Sequence, residues 1–596
     1  MSLVKSSFKS SERMIIVCLL APVLILFLFG YIVPLVNLII KSFMNDSGWT
    51  IQQYVELASS KAFIWVAFKT VTLAAVVTVI CLLVAYPLAY SISRSPRWLA
   101  ILLLFLVTLP YLTSILIRSY AWIVLLSPNG VINRALMSWG ITSEPIRMVF
   151  NATGVYIGMV QVQLPLMVFP LYAAIVKINR GLTRAAQSLG SPPSDAFLRV
   201  TLPLSMPGIM SGCTLVFLSC LGFYVTPALL GGVDDYLIAQ SISTRVLVLG
   251  DFKAAAAQST LLLAAVVVMF IIWRRRLAEE LDEQSREMLS EKRGCDAIGL
   301  SLRSSLVERL ATSLQVPYIR LHAIFSPVRL VVLALLSIFT VTLLVLPFVV
   351  VIPLAFSNAS YLTFPPPSYS MRWFNSFFRN SDWIEALGFS LRMAGIASII
   401  SICVGLPAAF ALVRNRFSGR LSIYLLLISP LIVPHVIMAV ALFFTLSGTA
   451  MIGSSTAFGV AYATIGIPYT LVVFVAGLKR FDRNLERAAA SLGAQYRTIL
   501  RTVTLPLLLP TLVSAGLFSF IAGFDDVVFG LFLSGPGATP LPMRMWDNIR
   551  LEISPQIAVI AVLFLATLLV LGAIRQLVLF MHARPRVGPA ELTRPV

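Results

Sequence analysis

Two similar stretches, "RAAQSLGSPPSDAFLRVTLP" at residues 184–203 and "RAAASLGAQYRTILRTVTLP" at residues 487–506, decide how this sequence is interpreted. The second copy begins 303 residues after the first. In both copies an Ala-Ala pair, a Gly and a closing Leu-Pro occur at the same spacing. A loop that needed only basic residues between two membrane spans would not require this spacing. The repeat therefore predicts one functional unit, present twice.

The composition around these stretches is that of a membrane protein. Apolar residues make up 58% of the chain and charged residues 12%, about half the usual charged share of a soluble domain. Because a helix needs about 20 apolar residues to cross a bilayer, the sequence predicts about twelve spans. They are 14–40, 63–90, 99–126, 152–176, 207–230, 255–273, 330–356, 386–413, 421–447, 457–478, 510–533 and 556–574.

The spans fall into two halves with the same order. Residues 1–273 form the first, residues 330–596 the second, and the charged segment 274–329 is predicted as a cytoplasmic linker. Each half has an even number of spans, so the repeats run parallel, with a pseudo-two-fold axis along the membrane normal. The fold class is an all-α polytopic membrane protein built from two six-helix repeats.

The net charge of +20 follows from topology rather than from nucleic-acid binding. Lys and Arg are concentrated in the segments that lie on the same side as the N-terminus. Since cytoplasmic loops carry the excess of these residues, both termini are predicted in the cytoplasm and both repeated stretches on the cytoplasmic face. The sequence predicts a multi-pass protein in contact with lipid, and no nucleic-acid partner.

The repeated stretch resembles the coupling motif in the inner-membrane permeases of binding-protein-dependent ABC importers. The resemblance extends over nearly the whole chain and implies the type I importer permease fold. It departs in one respect: the acidic residue often found just before Ala-Ala is Arg184 in one copy and Arg487 in the other. The residues assigned to ATPase coupling are Ala185, Ala186, Gly190, Leu202 and Pro203, and Ala488, Ala489, Gly493, Leu505 and Pro506.

The source of energy is predicted to lie outside this chain. No GxxxxGK[ST] pattern and no Gly-Lys dipeptide occurs in the sequence, so it has no phosphate-binding loop of that type. The resemblance implies two separate ABC ATPase subunits that hold ATP and Mg, and an extracytoplasmic solute-binding protein. The chain itself is then a transporter subunit in a bacterial inner membrane, not an enzyme, with no catalytic residue, cofactor or metal of its own.

The cargo is suggested by two stretches, one in each half. "LPYLTSILIRSYAWIVLLSPNGVIN" at 109–133 and the aromatic segment at 358–387 are similar to the two permeases of the spermidine/putrescine group, which here would be fused. A small, polyamine-like amine is the preferred cargo, and iron(III) is the alternative because its permeases are often fused. A secondary transporter of the major facilitator type is a further alternative, although the loop "SISRSPRW" lacks the motif typical of that class.

Two acids in an apolar span are candidates for the substrate pathway. Asp525 and Asp526 would cost about 2.5 to 3.5 kcal/mol each at the centre of a bilayer, so they need a polar cavity or a partner. The first half has Phe223 and Tyr224 in the corresponding element, without an acid. One prediction is an off-axis contact with a cationic cargo, aromatic from one half and acidic from the other. The alternative is a hydrogen bond at a helix end or between subunits.

Overall fold

The computed structural model describes residues 2–290 and 329–567, apart from 46–47, 362, 416 and 553. Within this part, nine helices are long and apolar enough to span a membrane, or eleven if each of two bent pairs counts as one span. Residues 291–328 of the linker predicted at 274–329 lie outside the described residues, whereas 274–290 continue the helix Phe252–Ser290. The predicted twelfth span is described only as a shorter apolar helix, Gln556–Thr567.

The first half consists of helices and one short hairpin. Its strands Met44–Asn45 and Gly48–Trp49 pair antiparallel, with Met44 opposite Trp49. The helices are Ser2–Phe27, Leu28–Ile32, Val33–Ser42, Gln52–Ser59, Lys61–Arg94, Arg97–Thr108, Leu109–Leu112, Ile115–Leu126, Val131–Ser138, Ala152–Lys177, Arg180–Ser188, Pro193–Ala196, Phe197–Thr201, Leu202–Leu204, Met206–Leu221, Val225–Leu230, Ile238–Leu247 and Phe252–Ser290.

The second half repeats this order. Its helices are Arg329–Ala355, Arg372–Arg379, Ser381–Arg414, Arg420–Ile428, Ser429–Leu431, His435–Leu446, Ser455–Arg480, Arg483–Ser491, Tyr496–Ile499, Leu500–Thr504, Leu505–Phe524, Val528–Leu533 and Leu541–Leu551, followed by Gln556–Thr567. In each half the second, fourth and fifth spans pack against one another as a three-helix core. Small residues allow close approach there: a Cβ on Gly208 would lie 2.5 Å from the Ala174 side chain.

The first span of each half packs against the other half. Asn37 donates to Thr445 Oγ1 at 3.2 Å, and Lys41 Nζ donates to the carbonyl of Phe444 at 3.0 Å. In the opposite direction, Thr340 Oγ1 donates to the carbonyl of Val84 at 3.1 Å. This reciprocal exchange joins the two repeats into one membrane unit.

The third predicted span of each half is not one continuous helix, so the expectations at 99–126 and 421–447 are wrong in this respect. In the second half the axis bends by 95° between Arg420–Leu431 and His435–Leu446. The first half also breaks, between Leu112 and Ile115. Pro110 lies at the first break, and Pro430 and Pro434 lie at the second. Proline cannot donate the helical N–H bond and its ring crowds the preceding turn, which explains the interruption.

The fifth spans also end early. Their membrane helices stop at Leu221 and Phe524, and short helices resume at Val225 and Val528. Residues 222–224 and 525–527 are not helical, and we call these two segments the joints. The expectation of continuous spans at 207–230 and 510–533 is therefore wrong in this respect. All four candidate pathway residues lie in these two joints.

Candidate functional site

The two repeated stretches form loops of the same shape. We call residues 180–204 the first motif loop and residues 483–507 the second motif loop. Each begins with a nine-residue helix, Arg180–Ser188 or Arg483–Ser491. Asn179 caps the first helix by accepting from the Gly181 N–H at 2.8 Å, and Asp482 caps the second by accepting from the Asn484 N–H at 2.9 Å. Short side chains with an acceptor oxygen are the preferred caps at helix starts.

Glycine is required where each loop helix ends. Gly190 has φ of +88° and Gly493 has φ of +85°, in the left-handed region that other residues adopt only at a cost. The chain then closes the helix with matching bonds, from the Ser191 N–H to the Ala186 carbonyl at 3.0 Å and from the Ala494 N–H to the Ala489 carbonyl at 3.2 Å. This C-terminal motif explains why both copies place Gly at the same distance from Ala-Ala.

The loop helices present an apolar surface that none of the described residues covers. Leu189 is 89% exposed and Leu492 is 88% exposed, each directly before the glycine. Ala185 and Ala488 are exposed, whereas Ala186 and Ala489 are half-buried. Large apolar side chains that project in the same place from both halves are typical of a binding surface. The sequence analysis missed both leucines, although they stand at equal positions in the two copies.

The closing Leu-Pro of each loop leads back into the membrane. Leu202, Pro203 and Leu505 are half-buried and Pro506 is exposed. A five-residue π-helix precedes each of them, Phe197–Thr201 in the first half and Leu500–Thr504 in the second. The ten residues assigned to coupling thus lie along two equivalent loops, from the exposed helix to the start of the fifth span.

A buried ion pair anchors the second motif loop. Arg414 Nη2 donates to Glu486 Oε1 at 2.7 Å, and Thr504 Oγ1 donates to the same oxygen at 2.5 Å. Burial would raise the pKa of Glu486, but the hydrogen bonds from Arg414 and Thr504 and the charges of Arg414 and Arg483 outweigh it. The pKa is therefore held below its ordinary value.

Asp525 connects the halves. Its Oδ2 accepts from the Ile115 N–H at 3.2 Å, at the start of the helix that follows the break in the first half. A carboxylate is favoured at this end of a helix because its free N–H groups carry partial positive charge. One turn further on, Arg118 is 5% exposed, and its Nε and Nη1 have no hydrogen-bond partner among the described residues. Asp525 Oδ1 is likewise buried without a partner.

Asp526 stays within its own half. Its Oδ1 accepts from the Phe529 N–H at 2.7 Å and so caps the helix Val528–Leu533. Its Oδ2 lies 2.8 Å from Nδ1 of His435, the first residue after the bend in the third span. Sequence reasoning missed His435 because nothing in the sequence brings it next to an acid 91 residues later.

The aromatic candidates of the first half lie at the corresponding joint. Gly222, which corresponds to Asp525 in the repeat, packs so closely against the second half that a Cβ there would lie 2.0 Å from Pro434 Cβ. Phe223 is half-buried beside it. Tyr224 instead packs its ring on Trp546, with centroids 5.4 Å apart, and accepts from Ser243 Oγ at 3.4 Å. The structure thus places all four candidates in the two joints, with the Tyr224 ring packed across the halves against Trp546.

Possible metal ligands are dispersed. Within the described ranges, no group of three or more His, Cys, Asp or Glu side chains could hold a metal ion. The His435–Asp526 pair supplies only two donors, and Asp526 also caps a helix.

These features define the class of protein. Residues 401–584 match the family described as the inner membrane component of binding-protein-dependent transport systems. The chain belongs to this family, whose members are permease subunits of ABC importers and not enzymes. The resemblance noted from the repeated motif is therefore confirmed.

Among individual relatives, the polyamine permeases are similar to this chain. The spermidine/putrescine transport system permease protein PotB of Haemophilus influenzae is 37% identical over 228 residues, which are 37% of this chain and 79% of that protein. The putrescine transport system permease protein PotI of Escherichia coli K12 is 31% identical over 282 residues, which are 46% of this chain and 98% of that protein. Each relative is matched over less than half of this chain.

A solved structure also aligns. It is a bacterial ABC transporter involved in the import of the acidic polysaccharide alginate, with 22% identity and a TM-score of 0.38. The alignment covers 46% of this chain and 99% of that one.

Proposed function

We propose that this chain supplies two transmembrane halves of an ABC importer, in which residues 1–273 and 330–596 serve as two fused permease subunits joined by the linker 274–329. The observation that carries the proposal is the pair of motif loops, each with a leucine almost fully exposed at its tip. A soluble ATPase subunit seated on each loop would bury these leucines. Both loops then lie in the cytoplasm, as do both termini.

The motif loops would transmit movement from the ATPases. Each loop runs directly into the fifth span of its half, which ends at the joint that contacts the opposite half. When the ATPases close around ATP and Mg, they would draw the loops together and rock the halves about the central axis. Access to the pathway would then alternate between the two sides of the membrane. A solute-binding protein would deliver the cargo from outside.

We propose a small, polyamine-like amine as the cargo. The support is the similarity to permeases whose names include spermidine and putrescine. Asp525 and Asp526 would add negative charge where the halves meet. Opening that contact would separate Asp525 from the Ile115 N–H and free its carboxylate for a cation. Phe223 and Tyr224 would supply the facing aromatic surface.

Transport into membrane vesicles tests the proposal. The chain, produced with its ATPase subunits and solute-binding protein, is expected to move labelled spermidine or putrescine only when ATP is on the ATPase side. Uptake of iron(III) without uptake of amines would assign the alternative cargo. Uptake driven by an ion gradient without ATP would contradict an ABC mechanism.

A further inference from the structure

The two motif loops share one shape but differ in how they are attached to their own halves. In the second motif loop, the Glu486 carboxylate joins three elements: its loop helix, the end of the second span at Arg414, and the π-helix at Thr504 that leads into the fifth span. The side chains of Arg414 and Glu486 are only 16% and 17% exposed. Arg414 also stacks on Phe410, 4.5 Å from the ring centroid, which fixes its position.

The first motif loop has the equivalent positions without the carboxylate. Thr183 stands where the second half has Glu486, and Thr201 stands where it has Thr504. Both Thr183 Oγ1 and Thr201 Oγ1 are buried without a hydrogen-bond partner in the part of the chain that the structure describes. Arg94, which corresponds to Arg414, lies over the Tyr90 ring at 5.1 Å. This loop is held instead by a hydrogen bond from Arg180 Nη2 to the Ser93 carbonyl at 2.6 Å, and by the Phe197 ring, which packs edge-on against Tyr86 and Tyr90.

These two attachments differ in strength. Both contain a charge-assisted hydrogen bond, but only the Glu486 network pairs two opposite charges, and screening by water is weaker for a pair that is mostly buried. The Glu486 network connects the loop helix to two spans at once, whereas the Arg180 bond reaches one carbonyl. The second loop helix is consequently restrained relative to both elements that carry its motion into the membrane.

We propose that Glu486 is a positioning residue that makes the second motif loop a rigid connection to its half, while the first motif loop is the more compliant one. The inference rests on the proposed function, because a rigid connection matters only if an ATPase moves the loop. Unequal stiffness means that the same ATPase movement displaces the second half more than the first. The second half also carries Asp525, which closes the contact with the first.

Reciprocal substitutions provide matched variants. Glu486→Thr gives the second loop the residue of the first. Thr183→Glu gives the first loop a carboxylate at the position of Glu486, in a half where Arg94 and Thr201 occupy the positions equivalent to Arg414 and Thr504. Amide hydrogen exchange is measured on the purified full chain, which needs no ATPase. Uptake per ATP hydrolysed is measured in the assembled transporter with spermidine as the probe.

In the unmodified chain, we expect residues 483–491 to exchange more slowly than residues 180–188. Glu486→Thr should increase the exchange rate in residues 483–491 about tenfold. It should also lower uptake per ATP at least threefold, with ATPase copurification unchanged. Thr183→Glu should slow exchange in residues 180–188. Equal exchange in the two unmodified loops, or unchanged coupling in Glu486→Thr, would overturn the inference. Failure of the unmodified chain to copurify with ATPases would instead overturn the proposed function.

Discussion

The motif loops resemble each other closely, whereas the central joints of the two halves do not. Both loops have a capped nine-residue helix, a left-handed glycine and an exposed leucine. At the joints, Asp525 makes a polar contact with Ile115, while its counterpart Gly222 makes an apolar contact with Pro434. Under the proposed function, the two equivalent loops would serve two copies of one partner, and the unlike joints would serve an asymmetric cargo.

The largest effect should come from the surface that the loops share. Replacing both Leu189 and Leu492 with Glu removes two apolar contacts worth about 1.5 to 3 kcal/mol each when buried, and adds charge to an apolar interface. We expect ATPase copurification to fall more than tenfold. The two single variants should lose affinity to about the same extent, because the loops are equivalent.

Val233→Glu is the matched control for this variant. Val233 is 97% exposed and lies between the fifth and sixth spans, on the side opposite the motif loops under the proposed topology. The Val233→Glu variant should leave ATPase copurification unchanged. A large loss in one single leucine variant with none in the other would break the equivalence of the two loops.

A second variant addresses the apolar joint. Gly222→Ala places a methyl group against Pro434, and overpacking of this kind costs about 1 to 3 kcal/mol. We expect a lower thermal unfolding temperature of the purified chain and reduced uptake, with ATPase copurification intact. Gly388→Ala, at a helical glycine with nothing within 4 Å of a new Cβ, is the control. Equal behaviour of the two variants would mean that this contact does not hold the halves together.

The polar joint is addressed by charge removal. Asp525→Asn and Asp526→Asn keep the size of the side chain and lose its negative charge. We expect reduced uptake of spermidine in both, by up to about tenfold for a lost charged hydrogen bond, without an effect on ATPase assembly. If uptake is unchanged in both variants, the acids act only as helix caps, and the proposed charge asymmetry at the centre is wrong.

The smallest effect should be a pH dependence confined to one loop. Glu486 has a lowered pKa in the folded protein. Its ion pair with Arg414 therefore stabilises the second motif loop fully above the ordinary pKa of a glutamate, and this stabilisation disappears as the pH falls through the lowered pKa. Arg414 and Arg483 are the charged groups that face Glu486. Hydrogen exchange in residues 483–491 should accelerate in acid relative to residues 180–188. In Glu486→Gln the relative rates should not change with pH.

Much of the fold could be predicted because it depends on local properties of the chain. Hydrophobic length identified the spans, and the spacing of Ala-Ala, Gly and Leu-Pro identified the loops, since the helix end at Gly190 or Gly493 uses neighbouring residues only. Proline at 110, 430 and 434 was visible, but a proline within a span can kink or end it. The breaks in the third spans were therefore not predicted.

The contacts between distant residues could not be predicted in the same way. Three kinds of contact join residues that are far apart in the sequence. They are the packing of each first span against the other half, the Asp526–His435 pair and the Asp525–Ile115 contact. For Asp525 and Asp526, the cost of a buried acid correctly indicated that a partner was needed, without identifying it. Whether these residues also line the pathway stays a prediction.

The central claim, that separate ATPases drive this chain through both motif loops, is tested most directly by photocrosslinking. A photoreactive amino acid is placed at position 189, 492 or 233 of the full chain, produced together with its ATPase and solute-binding protein. If the ATPases bind both motif loops, we expect crosslinks to the ATPase from positions 189 and 492 and none from position 233. Crosslinks from 189 and 492 to lipid or to the solute-binding protein, with no ATPase captured, would contradict it.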